Sequence, residues 1–287
     1  MGRLSMNISK FVTVLVLLML IHYLLVPSPC SSAESPQIIK KEYTFGVAPQ
    51  APPEVMHKNW LPFIDRLSHD TGLTLKLKVY ENMNDFESNL KEGSIDFAYM
   101  NPIQEIMAWN EKGYIPLVRS KNLIRGCIFV RKDSGLNELN DLEGKEIALV
   151  GSKNICSIAI RNDIKNLKVA SHYVGNLSNV FRNVELGEAA AGGTLDIVFA
   201  QDASELNQEF NIIYTTEPLS PHPISALPSV PAETRRLVIE MVLKYSEGQD
   251  PQDLLKSIGM QNPVFADYDK DYKPLEKRLI GNSETGH

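Results

Sequence analysis

Two separate stretches of the chain share one pattern, in which an apolar strand runs directly into a polar segment that begins a helix. In the first, Asp96-Phe97-Ala98-Tyr99 leads into Met100-Asn101-Pro102. In the second, Glu146-Ile147-Ala148-Leu149-Val150 leads into Gly151-Ser152-Lys153-Asn154. In an open parallel sheet such loops lie at the carboxyl ends of the strands and line a crevice. The repetition predicts an α/β chain with two sheets whose loops bound one crevice.

The first 33 residues have the composition of a secretory signal peptide. Arg3 and Lys10 form a basic start, residues 11–26 are mainly apolar, and Ser31-Ser32-Ala33 offers small residues for cleavage. The apolar run is short for a membrane-spanning helix. We therefore expect cleavage, with an uncleaved anchor or a lipid on Cys30 as alternatives. The expected location is the periplasm or the cell exterior.

Charge and cysteine content exclude several classes of function. The chain has 29 basic and 35 acidic residues, a net charge of −6, and no basic cluster, which argues against nucleic acid as a partner. Cys127 and Cys156 follow the leader at a spacing that fits no zinc motif and no disulfide scaffold. We expect no metal and no cofactor. Whether the two thiols pair in an oxidising compartment stays open.

Strand and helix patterns alternate from Tyr43 onward, which is typical of doubly wound parallel sheets. The pair Gly192-Gly193 is interpreted as a turn. Hydrophobic periodicity predicts strands at 43–48, 73–80, 95–99, 145–150, 169–174 and 195–200, and helices at 54–70, 84–91, 103–110, 155–165, 178–187, 203–209 and 231–246.

Two segments, near 119–127 and 213–226, are expected to cross between the sheets. Crossing strands of this kind act as a hinge, because bending a few strands opens the whole cleft. One large enzyme with a single sheet is the less economical alternative. The predicted division is a signal peptide at 1–33, lobe I at 43–122 and 223–278, and lobe II at 123–222.

Four loops, at 48–54, 99–103, 151–157 and 175–179, are expected to converge on the crevice, and each begins a helix. Helix starts present unsatisfied N–H groups and the positive end of the dipole, so they bind anions without a counter-charge. A small anion or zwitterion is therefore the expected ligand. The side chains predicted to bind it are Gln50, Tyr99, Asn101, Ser152, Lys153, Asn154, Cys156, Ser157, Asn176, Ser178 and Gln201.

Catalysis by Cys156 is the alternative from a different class. A thiol at a helix start is expected to have a lowered pKa, which is the setting of reactive cysteines. A nucleophile also needs an adjacent base. His172, a histidine of lobe II, lies near the start of a strand and therefore at the wrong end for the crevice. No nucleophile elbow or phosphate-cradling glycine loop is present. We expect no enzymatic activity.

Six segments of the chain resemble those of a known protein family. In order and spacing they extend over nearly the whole chain after the leader. They are Phe45-Gly46-Val47-Ala48-Pro49, Trp60-Leu61-Pro62-Phe63, Gly93-Ser94-Ile95-Asp96-Phe97-Ala98-Tyr99, Val130-Arg131-Lys132-Asp133-Ser134-Gly135, Leu139-Asn140-Asp141-Leu142-Glu143-Gly144-Lys145 and Asp269-Lys270-Asp271-Tyr272. In these segments the chain resembles the phosphate/phosphite/phosphonate ABC-transporter substrate-binding proteins, a branch of the type 2 periplasmic binding fold.

The resemblance implies a monomer that captures a small oxyanion-bearing solute, such as a phosphonate, phosphite or phosphate, and delivers it to ABC permease subunits. A receptor that reports its ligand to a membrane signalling sensor is the alternative. The family's cleft tyrosine is retained as Tyr99. Its usual Ser-Thr-Ser run corresponds here to Asn154-Ile155-Cys156-Ser157, its cleft histidine falls near Leu177, and its acidic residue is replaced by Gln201.

Overall fold

The computed structural model describes residues 42–201 and 209–279, with the backbone alone for Ala200 and Gln201. The predicted signal peptide and most of the predicted helix 203–209 lie outside these residues. No helix within them has the length and apolar content needed to cross a membrane. The strands are β1 (Tyr43–Val47), β2 (Leu75–Lys78), β3 (Phe97–Tyr99), β4 (Ile115–Ser120), β5 (Gly126–Arg131), β6 (Glu146–Leu149), β7 (Ala170–Tyr173), β8 (Ala191–Leu195), β9 (Phe210–Thr215), β10 (Pro223–Ala226) and β11 (Pro263–Phe265).

Helices follow most of these strands. They are α1 (Pro53–Thr71), α2 (Met83–Glu92), α3 (Pro102–Lys112), α4 (Ile155–Asp163), α5 (Leu177–Glu185), α6 (Asp196–Gln201), α7 (Ala232–Lys244), α8 (Gln249–Ser257) and α9 (Lys273–Leu279). Short helical turns occupy Leu139–Leu142, Tyr245–Glu247 and Tyr268–Tyr272.

The first sheet has the strand order β11-β4-β10-β3-β1-β2. Strands β2, β1 and β3 run parallel, while β10 pairs antiparallel with both β3 and β4. Helix α1 packs on this sheet because its apolar residues recur at helical spacing, and Trp60, Phe63 and Leu67 are all buried with Phe45 of β1. The carboxyl ends of β1 and β3 therefore lie side by side at one edge.

The second sheet repeats this arrangement with the order β7-β6-β8-β5-β9. Strands β7, β6 and β8 are parallel, and β5 pairs antiparallel with β8 and β9. Leu149, the last residue of β6, pairs with Tyr173, the last residue of β7. The loops that leave these two strands thus start from the same edge of the sheet.

Two crossings connect the sheets, at 121–125 and 216–222, within the regions predicted for them. Ile124 and Leu219 exchange backbone hydrogen bonds of 3.0 and 2.8 Å, and Thr216 N donates to Gly126 O at 2.8 Å. The crossings therefore pair with each other as hinge strands do. This confirms the predicted two-lobed α/β class. The boundaries given above for the two lobes stay a prediction.

The segment from Tyr268 to Leu279 contacts elements of both sheets. The ring of Tyr268 stacks on Trp109 of α3 with centroids 4.0 Å apart. The Tyr272 hydroxyl donates to Pro221 O in a crossing at 3.1 Å, and Arg278 lies 3.5 Å from Asp163 of α4. Residues 268–279 consequently pack along the hinge side of the two lobes.

Two interpretations of the second sheet are wrong. Gly192 and Gly193 form the middle of β8 rather than a turn. Of the predicted strand 195–200, Leu195 ends β8 and residues 196–200 lie in helix α6. The cause lies in packing: Gly192 pairs with Phe129 across the sheet, and a side chain on Gly192 would overlap the Phe129 ring. Glycine is required there for close packing and not for a turn.

Candidate ligand-binding site

Loops at the carboxyl edges of both sheets form the candidate site. Each of the four runs into a helix, as the pattern of polar residues after apolar strands predicted. The loops after β1 and β3 lead into α1 and α3, and those after β6 and β7 lead into α4 and α5. In folds of this kind the crevice beyond the carboxyl ends of the strands is where ligands bind.

Lys153 shows that the two sets of loops face each other. This residue lies in the loop after β6 of the second sheet. Its Nζ donates to Asn84 Oδ1 at 2.8 Å and to Glu87 Oε2 at 2.9 Å, both on helix α2 of the first lobe. The ion pair spans the crevice, and the positive charge of Lys153 is balanced by the Glu87 carboxylate.

Three asparagines at these helix starts act as N-caps. Asn101 Oδ1 accepts from the backbone N–H groups of α3, with both bonds 2.9 Å long. Asn154 Oδ1 accepts from Cys156 N at 3.0 Å and Ser157 N at 3.3 Å, and Asn176 Oδ1 accepts from Asn179 N at 2.9 Å. The caps satisfy N–H groups that an anion would otherwise use.

Gln104 connects the α3 cap to the Lys153 contact. Its side-chain oxygen accepts from Asn101 N at 3.1 Å, which completes a capping box. Its amide nitrogen lies 3.5 Å from Glu87 Oε1, so Glu87 receives one donor from each lobe. The first-lobe partner of Lys153 is thereby held in place by the helix cap.

The remaining predicted site residues differ in exposure. Gln50, Ser152 and Ser178 are exposed, and so is the cap Asn176. Cys156 and Ser157 are buried, with 4 % and 1 % of their surfaces exposed. The side chain of Gln201 lies outside the described residues. A shared ligand contact for the predicted set stays a prediction.

Tyr99 lies between two aromatic rings at the end of β3. Its ring centroid is 4.6 Å from that of Trp60 and 5.4 Å from that of His222, which stacks on it at 22°. Burial raises the pKa of Tyr99, so its hydroxyl stays protonated and able to donate. Burial also lowers the pKa of His222 to about 4, so the ring is neutral at pH 7.

His222 was not among the predicted site residues. It lies in the crossing segment just before β10, and β10 pairs antiparallel with β3 so that Ile224 is opposite Tyr99. The strand order that brings His222 beside Tyr99 is not visible in local periodicity. The proline-flanked position, Pro221-His222-Pro223, was the available signal.

The expected lowered pKa of Cys156 is wrong. Burial raises the pKa of this thiol, which lies in the first turn of α4. Cys127 is also buried, and burial raises its pKa to about 12. Both are free thiols. This arrangement gives no support to the Cys156-dependent enzyme.

We expect both thiols to resist iodoacetamide in the native protein at pH 7.5. Reaction requires a thiolate that the reagent can reach, and burial of Cys127 and Cys156 denies both conditions. Peptide mass spectrometry before and after unfolding in guanidinium chloride measures this: both peptides should become alkylated after unfolding alone. Rapid labelling of Cys156 in the native state would show that the site is open.

One cavity lies away from the crevice, and no metal site is found among the described residues. A cavity of about 580 Å³ opens between α1 and α7 on the outer face of the first lobe, with Arg66, Asp70 and Tyr245 in its lining. Within residues 42–201 and 209–279, no group of three or more His, Cys, Asp or Glu side chains is placed to hold a metal ion.

Solved structures from three bacteria resemble this fold. XAC2383 of Xanthomonas citri, bound to chloride, aligns with a TM-score of 0.70 at 15% identity, covering 84% of this chain and 96% of that one. PhnD1 of Prochlorococcus marinus, in complex with methylphosphonate, aligns with a TM-score of 0.70 at 14% identity. The alignment covers 83% of this chain and 96% of that one. A binding protein component of a Pseudomonas aeruginosa ABC phosphonate transporter aligns with a TM-score of 0.64 at 11% identity. The alignment covers 80% of this chain and 83% of that one.

A sequence family also matches, over residues 45–272, which include strands of both sheets and both crossings. Its description is ABC transporter, phosphonate, periplasmic substrate-binding protein. The match confirms the resemblance inferred from the six segments. By this match and by its two-lobed fold, the chain belongs to the family of periplasmic substrate-binding proteins of phosphonate ABC transporters.

Proposed function

We propose that the crevice captures a small oxyanion-bearing solute, such as a phosphonate, phosphite or phosphate, and that the loaded protein delivers it to ABC permease subunits. The observation that carries the proposal is the Lys153 contact, because it brings the loop after β6 against helix α2 of the first lobe, next to the strand ends where open α/β sheets bind ligands. The methylphosphonate bound to the Prochlorococcus marinus relative adds support for this ligand class.

The local chemistry suits a small, hydrogen-bonded ligand. The protonated Tyr99 hydroxyl is a donor at the first-lobe edge, and Ser152 and Ser178 are exposed donors at the second-lobe edge. Asn154 and Asn176 use their side-chain oxygens as caps, and their amide groups make no hydrogen bond within the described part of the chain. Polar groups that converge from two lobes fix the orientation of a ligand.

Several finer properties belong to the same proposal. The leader at 1–33 directs the chain out of the cytoplasm and is removed, and the protein acts as a monomer without catalysis. The lobes, 43–122 with 223–278 and 123–222, move as units about the paired crossings at Ile124 and Leu219. A receptor that passes its signal to a membrane sensor has no observation in its favour.

Methylphosphonate, phosphite and inorganic phosphate should raise the unfolding temperature of the protein. A ligand present at 100 times its Kd adds about 2.7 kcal/mol of stability, which a thermal-shift experiment resolves easily. Small-angle scattering on the same samples should show a more compact particle when the best ligand is bound.

A neutral solute of similar size, such as glycerol, provides the control. We expect it to leave the unfolding temperature unchanged at the same concentration. Stabilisation by a neutral solute alone, with none from the three oxyanions, would contradict the proposed ligand class.

A further inference from the structure

We infer that Arg161, rather than Lys153, supplies the positive charge that binds the anionic group of the solute. The inference rests on the proposed function and names a residue of the same site. Arg161 was not among the residues that the loop patterns predicted.

The Arg161 guanidinium lies at the carboxyl edge of the second sheet. Its Nη2 donates to Ser152 O at 3.2 Å, in the loop after β6. The guanidinium carbon lies 5.9 Å from the ring centroid of Tyr173, the last residue of β7. Helical side chains point toward the helix start, so a residue late in α4 reaches back to the loop that precedes it. Arg161 thereby extends from α4 across the ends of β6 and β7.

Arg161 makes no ion pair with an acidic residue in the described part of the chain, and its printed hydrogen bond goes to a backbone oxygen. Its Nε is buried and makes no hydrogen bond there. A guanidinium offers five donors in a planar fork that fits oxyanions through paired hydrogen bonds. A buried donor without an acceptor is costly, so an anionic ligand would find this group already positioned. By contrast, Arg119 pairs with Asp271 and Arg278 pairs with Asp163. The side chains of these two arginines are 15% and 23% exposed.

Lys153 is a weaker candidate for the same role because its charge is already used. Glu87 and Asn84 bind its Nζ, and an anion that bound it would compete with a carboxylate 2.9 Å away. The adjacent start of α4 is closed by Asn154. Arg161 therefore remains as a cation that contacts the loop after β6 and is not paired with a carboxylate within the described chain.

Isothermal titration of three variants with methylphosphonate, phosphite and inorganic phosphate tests the inference. Arg161→Gln should raise the Kd of the best ligand about tenfold or more. Arg161→Lys keeps the positive charge but lacks the planar guanidinium, so its Kd should rise less. Lys165→Gln is the matched control, because it removes one positive charge from an exposed residue just beyond the same helix. Its Kd should equal that of the unmodified protein.

The pH dependence of binding separates ligand contact from a structural role. The three oxyanions take their second negative charge as pH rises through the neutral range, so affinity in the unmodified protein should rise there, and Arg161→Gln should flatten the rise. If Arg161 only held the loop through Ser152 O, the affinity of Arg161→Gln would rise with pH as in the unmodified protein. The variant would instead be less stable than the unmodified protein in the absence of ligand.

Three results would overturn the inference in distinguishable ways. If Arg161→Gln binds the best oxyanion as tightly as Lys165→Gln does, the role of Arg161 is wrong and the proposed function stands. If the unmodified protein binds none of the three anions, the proposed function and the inference both fail. An unchanged pH profile with weakened binding would also overturn it, because it assigns Arg161 to the loop alone.

Discussion

Replacing Glu105 with Gln should make the stability of this protein far less dependent on pH between about 5 and 8. Glu105 lies on helix α3 with no exposed surface. Ser225 Oγ donates to its Oε2 at 2.6 Å, and its Oε1 has no partner. Burial raises the pKa of Glu105 to about 8, and the Ser225 hydrogen bond offsets only part of that effect.

The sign of the effect follows from proton binding. In the unfolded chain Glu105 titrates near its ordinary pKa of 4.5, so the folded protein holds a proton that the unfolded chain loses. Stability therefore falls as pH rises from about 4.5 to 8, by up to about 1.4 kcal/mol per pH unit. Glutamine is neutral at every pH and retains an oxygen for the Ser225 hydroxyl, so its variant avoids this loss.

Urea unfolding of both proteins at several pH values measures the difference. At pH 8 we expect Glu105→Gln to be more stable than the unmodified protein by on the order of 3 kcal/mol, with little difference near pH 5. Glu111→Gln, at an exposed acid on the same helix, should follow the unmodified protein throughout. Parallel stability curves for Glu105→Gln and the unmodified protein would show that the buried acid does not titrate in this range.

Local patterns were sufficient for elements whose own side chains define them. Helix α1 was predicted because Trp60, Phe63 and Leu67 recur at helical spacing, and α3 because Asn101-Pro102 is a cap followed by a favourable first residue. The order of loops and helices then indicated the crevice. These features depend on residues within a few positions of each other, which a sequence displays directly.

Features set by distant neighbours were not predictable in this way. Glu87, which binds Lys153, lies 66 residues earlier in the chain, so the loop pattern presented Lys153 as a free cation. The helix position of Cys156 was visible, but the burial that raises its pKa was not. Arg161 appeared as an ordinary helix residue, because its contact with Ser152 depends on the path of a long side chain.

Strand β8 is the element for which this limit matters most. Its middle residues, Gly192 and Gly193, carry no side chain whose periodicity could indicate a strand. What defines them is Phe129 on the neighbouring strand β5, whose ring occupies the space over Gly192. The reason that Gly192 lies in a strand is therefore its packing against Phe129, a residue more than sixty positions earlier in the chain.

Gly192→Ala should accordingly destabilise the protein by about 1–3 kcal/mol, the usual cost of overpacking a core. The added methyl group would overlap the Phe129 ring, and that ring cannot readily move. It is enclosed by Phe181, Phe199 and Phe210, with ring centroids 4.6, 5.6 and 5.2 Å away. Chemical denaturation of the variant against the unmodified protein measures the change.

Gly151→Ala is the matched control, because a methyl group on Gly151 would meet no atom within 4 Å. We expect its stability to stay within a few tenths of a kcal/mol of the unmodified protein. The double variant Gly192→Ala with Phe129→Leu tests the cause: the smaller side chain makes room for the methyl group, so the two changes together should cost less than their sum. Strict additivity would mean that the glycine is needed for some reason other than the Phe129 ring.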